Sequence, residues 1–124
     1  MRTFIVAIAL LLTIIATSLT LSACADKRLN NLLYLTEQAL EEGELNEHSR
    51  KCIDAISKEW EKNESLFHIT INREEMIAVK KEIASALGAS EADSRENFLI
   101  AAEKLCITID NIKGYTELRI ENVF

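Results

Sequence analysis

Three cysteines, two histidines and one acidic turn are the residues whose types and spacing point to chemistry. Cys24 closes the tetrapeptide Leu21-Ser22-Ala23-Cys24, directly after a long uncharged stretch. That arrangement is similar to the lipobox of bacterial lipoproteins, in which the thiol is lipidated and the cysteine becomes the new N-terminus. Cys52 and Cys106 stand alone, not in a Cys-x-x-Cys pair, so thioredoxin-like redox chemistry has no support. His48 and His68 have Leu45 and Ser65 three residues before them, which excludes the Glu-x-x-His signature of di-iron bundles. Neither lies in a His-Glu-x-x-His zinc motif. Glu41, Glu42, Glu44 and Glu47 crowd one turn but lack the oxygen-ligand spacing of a calcium loop, so they read as a solvated turn. The chain has no Gly-rich phosphate loop and no Gly-x-Ser-x-Gly elbow. The residues therefore imply a non-enzymatic protein without a cofactor or metal.

The element that positions Cys24 is the N-terminal segment. Arg2 supplies a positive start, and Phe4–Leu21 then runs for 18 residues without a charge. A helix that spans a hydrocarbon core needs about 17–25 residues. A secretory signal carries a shorter apolar region of roughly 7–15 residues, with small residues at the cut. Two readings follow, a cleaved segment with lipid on Cys24 and a retained single-pass anchor. Lys27 and Arg28 follow the run as closely as Arg2 precedes it, so charge bias does not separate them. Both place the remainder outside the cytoplasm. The expected division is a signal or anchor over 1–24 and one helical domain over 25–124, a length for one core and too short for two.

The chain carries −6, and Arg2 is the only charge in its first 24 residues, so the domain is one unit more negative still. An acidic surface is a poor partner for nucleic acid, which rewards basic stripes. It is equally poor at binding anionic lipid peripherally, which leaves the N-terminal segment as the membrane attachment.

Proline is absent and glycine occurs only at 43, 88 and 114, each after a stretch of helical periodicity. Read as C′ residues, these glycines divide the domain into four helices. The first covers Asp26–Glu42, with Leu29, Leu32, Leu33, Thr36 and Leu40 on one face. Without cleavage nothing breaks a single helix from Thr3 to Glu42. The second runs from about Leu45 to Asn63, with Ser49, Cys52, Ile53, Ile56 and Trp60 inward, folded back antiparallel on the first. From Glu64 to Ile71 the pattern breaks and predicts an ordered, partly extended connection. Asn72 caps the third helix, paired with Glu75, and Gly88 ends it. Ser90 caps the fourth, whose Phe98, Ala102, Leu105, Ile109 and Ile112 step by four and three until Gly114. Leu99 and Cys106 widen that seam. The tail ends in Leu118, Ile120, Val123 and Phe124, an apolar end expected to dock on the bundle or on a partner, with Val123 and Phe124 buried. The predicted fold is an all-α antiparallel four-helix bundle behind the N-terminal segment.

Several stretches together resemble one family. These are the N-terminal hydrophobic helix, Glu59-Trp60, Ile71-Asn72-Arg73-Glu74-Glu75-Met76, and Leu118-Arg119-Ile120-Glu121-Asn122-Val123-Phe124. They look like the bacterial domain-of-unknown-function family four-three-six-three. In that family the middle stretch often reads Ile-Asp-His before an acidic residue. Here Asn72 and Arg73 stand in place of the Asp and His, which removes any His site the resemblance would carry. It implies a membrane-tethered helical domain, mainly of spore-forming bacteria, and supplies no activity.

Two functional classes follow. One is an interaction or accessory module at the outer membrane face, partnered by an integral membrane protein. The other is an extracytoplasmic binding protein holding a small apolar ligand or ion inside the bundle. A cavity lined by Trp60 and Phe98 would favour the second, a dense core with an exposed apolar strip the first. Cys52 and Cys106 face inward on helices that are either neighbours or diagonal. A disulfide needs Cα atoms within about 7 Å, which only adjacent helices reach, so both a bridge and two reduced thiols are compatible with the sequence.

Overall fold

The computed structural model describes residues 1–41 and 43–123, with side chains through 114. Glu42, Phe124 and the side chains of 115–123 lie outside that description, and with them the expected burial of Val123 and Phe124. The fold is all-α, a helical bundle of four helices with no strand among the described residues. They are α1 (Arg2–Leu40), α2 (Glu47–Thr70), α3 (Arg73–Glu91) and α4 (Arg95–Val123).

The 39 residues of α1 join the apolar segment and the first domain helix without a break. At 1.5 Å per residue it is about 60 Å long. No proline and no glycine precede Gly43 to interrupt it. Thr13, Thr17 and Thr20 are held within it because each hydroxyl donates to the carbonyl four residues back, at 2.8–2.9 Å. α1 ends at Leu40 with Glu41 as its C-cap, earlier than the expected Glu42, and Gly43 two residues beyond the cap is left-handed at φ +61°.

The start of α2 is set by a reciprocal cap. The Ser49 amide donates to Asn46 Oδ1 at 2.9 Å, and the Asn46 amide donates to Ser49 Oγ at 2.8 Å. The helix then runs past Asn63 to Thr70, which corrects the expected connection over Glu64–Ile71. The buried positions Ile53, Ile56, Trp60, Asn63 and Phe67 keep helical spacing throughout. Asn63 hides that continuity in the sequence, because it is polar yet buried. Its amide is satisfied within the helix by the Glu59 carbonyl at 2.8 Å. Only Ile71 turns extended, at φ −116°.

Asn72 caps α3 by accepting from the Glu74 amide at 2.9 Å, so the expected pairing with Glu75 is replaced by a contact one residue earlier. Gly88 does not end α3, and Gly114 does not end α4. Ser90 is a buried residue of α3 and not the cap of α4. The left-handed turn between these helices falls on Asp93 (φ 55°), and Ser94 is the residue whose carbonyl opens α4, accepting from Phe98 at 3.0 Å. A glycine costs a helix about 1 kcal/mol relative to alanine. Buried Ala86 and Ala89 on either side of Gly88 outweigh that cost.

Around the core, α1 packs against α2 and α4, and α3 packs against the same two. Among the described residues, neither α1 with α3 nor α2 with α4 brings Cα atoms within 8 Å of each other. Leu29, Leu32, Ile53, Ile56, Phe67, Val79, Phe98, Leu105 and Ile109 are fully buried between them. Each such side chain contributes about 1.5–3 kcal/mol of burial. On α1 the core begins at Ala25 (1% exposed), whereas Arg2–Ser18 are exposed throughout. That exposed stretch is long and apolar enough to cross a membrane, and it equally fits a signal sequence near the N-terminus.

Candidate functional site

Cys24 is exposed and sits one residue before the core starts. Ala23 beside it is exposed as well. The lipobox-like tetrapeptide therefore falls where the packed part of α1 gives way to the unpacked part.

Cys52 lies on the inner face of α2, buried, with its Sγ 3.8 Å from His48 Nε2. Burial pushes its thiol up from the ordinary value. A nucleophilic Cys–His pair requires the opposite shift, because the thiolate is the reactive form. Cys106, half-buried on α4, is also pushed up, by burial first and then by the negative charges of Glu37, Asp110 and Glu103. Cys52 and Cys106, for which the sequence leaves both a bridge and two reduced thiols open, are not bonded to each other in the structure. All three thiols are free, and no Cα atom of α2 lies within 8 Å of one in α4 among the described residues. Diagonal helices keep inward-facing Cα atoms beyond the roughly 7 Å a bridge allows.

His68 is exposed near the end of α2, 3.8 Å from Glu64. Glu64 also pairs with Lys80 of α3, and this contact holds its carboxyl below the usual range. At the acidic turn Glu47 pairs with Lys51 at 3.4 Å, while Glu41 and Glu44 are exposed. Among the described residues no three His, Cys, Asp or Glu side chains converge as a metal site would require.

Trp60 is 3% exposed and stacks on Phe67 with ring centroids 4.8 Å apart. Its indole N–H is buried without a hydrogen-bond acceptor. Trp60 also borders a hollow of about 230 Å³ between α2 and α3, with Ser57, Glu61, Lys80, Ile83 and Leu87. Phe98 does not border it and lies fully buried on α4. A larger open groove of about 840 Å³ lies between the start of α3 and α4, lined by Glu74, Glu75, Thr108, Asp110 and Asn111.

Outside the N-terminal segment, the exposed large apolar side chains are Tyr34, Ile69, Ile77, Ile100 and Ile107 among the described residues. Sequence reading by core stripes passes over them. Their signal is that each sits off the buried register of its helix, as Ile69 does between Phe67 and Ile71. Two arginines at the loops escape sequence reading too. Arg50 pairs with Asp93, and Arg95 Nε donates to the Gly43 carbonyl at 2.9 Å. Lone arginines carry no sequence signal for partners 43 and 52 residues away. No protein-family model, curated protein or solved structure gives a significant match to this chain.

Proposed function

We propose that the chain is a membrane-tethered, non-enzymatic interaction module, an antiparallel four-helix bundle held at the outer face of the membrane by the N-terminal part of α1. One observation carries this reading. Within a single helix, the side chains change from exposed and mostly apolar before Leu19 to buried in the core at Ala25. Apolar surface that no protein covers requires another apolar environment, and a bilayer supplies it. The tether is a retained span or, after a cut between Ala23 and Cys24, lipid on the Cys24 thiol. A cut there removes no fully buried residue and takes away half-buried Leu19, Leu21 and Ser22. The antiparallel arrangement is supported by Arg50–Asp93 and Arg95–Gly43, which join the α1–α2 turn to the α3–α4 turn at one end. The acidic surface argues for a protein partner, an integral membrane protein, over nucleic acid. The resemblance to family four-three-six-three carries the same implication.

Expression in a bacterial host with radiolabelled palmitate tests the tether. The protein is expected in the membrane fraction, and external protease is expected to digest residues beyond Cys24 in intact cells or spheroplasts. Lipid label lost in Cys24→Ser identifies the lipidated form, and full-length unlabelled protein resistant to alkaline extraction identifies the span. A soluble, unlabelled protein overturns the proposal.

The second reading, a bundle that binds a small ligand, rests on the orphaned Trp60 N–H beside the α2–α3 hollow. Under that reading the hollow's occupant supplies an acceptor to the indole, and its removal by extraction and refolding shifts Trp60 emission.

A further inference from the structure

The Ala23–Cys24 bond, which the lipid-bearing form of the tether requires to be cut, lies inside α1 and not in a loop. Within an α-helix the Ala23 carbonyl accepts from the amide four residues on, that of Lys27. The Cys24 amide likewise donates to the carbonyl four residues back, that of Thr20. A peptidase aims hydrogen-bond donors of its own at the scissile carbonyl oxygen, which the helix already engages. The substrate of such a cut is an opened chain, which is why nicking of folded proteins concentrates at exposed loop tips.

Packing on both sides of the bond strengthens this hold. On the N-terminal side Leu21 and Ser22 are half-buried. On the C-terminal side Ala25 is 1% exposed and Leu29 is 0% exposed. Unwinding the turn that contains the bond therefore pulls Ala25 out of the core. No glycine or proline before Gly43 opens the helix at this point. The Cys24 side chain is nevertheless exposed. The fold leaves the thiol accessible and holds the neighbouring peptide bond closed.

We infer that the folded bundle guards the Ala23–Cys24 bond, so that only chains with α1 not yet packed are cut, and a chain that folds first keeps residues 1–23. This rests on the tethering reading above and decides which of its two forms a given molecule takes. The cut is a hydrolysis. Water adds across the Ala23–Cys24 peptide bond and leaves a carboxylate on Ala23 and an amine on Cys24, with nothing oxidised or reduced. In the folded chain it proceeds through the fraction of molecules whose α1 has opened, and its rate follows that fraction when reclosing is fast. In a chain not yet packed the bond is open from the start. The order of folding and cutting therefore sets the proportion of retained span to shortened, lipid-held protein.

The test compares nascent and folded molecules of the full chain in a bacterial host. In one arm a pulse of labelled methionine, retained at Met76, follows each chain as it is exported. In the other, the membrane peptidase that cuts lipoprotein precursors is inhibited until the chain has accumulated and folded, and the inhibitor is then washed out. Loss of residues 1–23 is read by mass. The folded wild-type chain is expected to be cut about tenfold more slowly than the nascent one, or slower still. Leu29→Ala empties a core position of α1 and should speed the cutting of folded chains by about tenfold or more. Leu32→Val removes one methylene from the same core, a change the fold survives, and should speed it about fourfold. Neither variant should alter the nascent rate, because Leu21–Cys24 is intact. Equal rates for nascent and folded wild-type chains, or a folded rate that neither variant moves, overturn the guard. Nascent chains that stay uncut in the membrane overturn it as well and leave the tether standing as a span. A chain absent from the membrane fraction overturns both.

Discussion

Arg50, in the first turn of α2, is paired with Asp93, the residue whose left-handed backbone (φ 55°) separates α3 from α4. The other left-handed position, Gly43 (φ 61°), offers its carbonyl to Arg95 at 2.9 Å. Each reversal of the chain at this end is thus held by an arginine from the element that follows the other reversal. The Arg50–Asp93 side chains remain 40% and 79% exposed, so solvent screens their attraction. The backbone at Asp93 matters more than its charge.

Substitutions at Asp93 separate these two effects. Asp93→Asn keeps a side chain that tolerates the left-handed region and loses only the charge, at a cost below about 1 kcal/mol. Asp93→Val places a β-branched side chain at positive φ and should cost about 1–2 kcal/mol more. Denaturant melts of the full chain in detergent check the order. Equal losses for Asn and Val would show that the ion pair, and not the conformation, holds the turn.

The glycines yield a contrast of sign. A Cβ added at Gly43 would meet nothing within 4 Å, yet the positive φ there makes Gly43→Ala unfavourable by about 1 kcal/mol. Gly88 is equally open but lies within α3, so Gly88→Ala should stabilise by about 0.5–1 kcal/mol. Thermal melts that move in opposite directions confirm that one of these two glycines is a helix terminator and the other a tolerated interior residue.

That contrast also marks how far the fold is legible in the sequence. Helical periodicity locates the inward faces, because burial of Leu29, Ile53, Val79 and Leu105 is a local pattern of apolar spacing. Helix ends are harder to read. A glycine terminates a helix only when the packing beyond it stops, and buried Ala89 keeps α3 going past Gly88. Asn63 interrupts the apolar spacing of α2 although its amide is satisfied by the Glu59 carbonyl, and the β-branched Ile69-Thr70-Ile71 then reads as extended. At the candidate site, Cys24 is visible because a lipobox-like motif is contiguous. The diagonal placement of Cys52 and Cys106 is not, because it depends on which helices become neighbours.

The thiols should differ in reactivity and in their effect on stability. Exposed Cys24 is expected to alkylate first in the folded, unprocessed chain, with Cys106 slower and Cys52 slowest. Burial raises Cys52 and Cys106 above the ordinary thiol value of 9.0. The folded chain therefore holds these protons more tightly than the unfolded chain. Their contribution is fully present below pH 9 and is lost as pH rises through the raised folded values. Cys52→Ala should flatten part of that alkaline loss. Melts between neutral pH and pH 11 measure it, and an unchanged slope in the variant would show that Cys52 does not titrate differently on folding.

Trp60 combines a large apolar gain with one uncompensated polar group. Its ring stacks on Phe67 at 4.8 Å, and its N–H is buried without an acceptor. Trp60→Ala removes the whole ring and should cost about 3–5 kcal/mol. Trp60→Phe keeps an aromatic partner for Phe67 and also removes the orphaned donor, whose desolvation costs about 1–3 kcal/mol. The lost ring area and the removed penalty oppose each other, so Trp60→Phe should cost less than about 2 kcal/mol. Phe67→Ala should cost nearly as much as Trp60→Ala, because Phe67 is fully buried and is the stacking partner. Chemical denaturation followed by circular dichroism gives all three values without relying on Trp60 emission. A Trp60→Phe cost equal to that of Trp60→Ala would mean that the indole N–H makes a strong hydrogen bond in solution, and the α2–α3 hollow would then be where its acceptor sits.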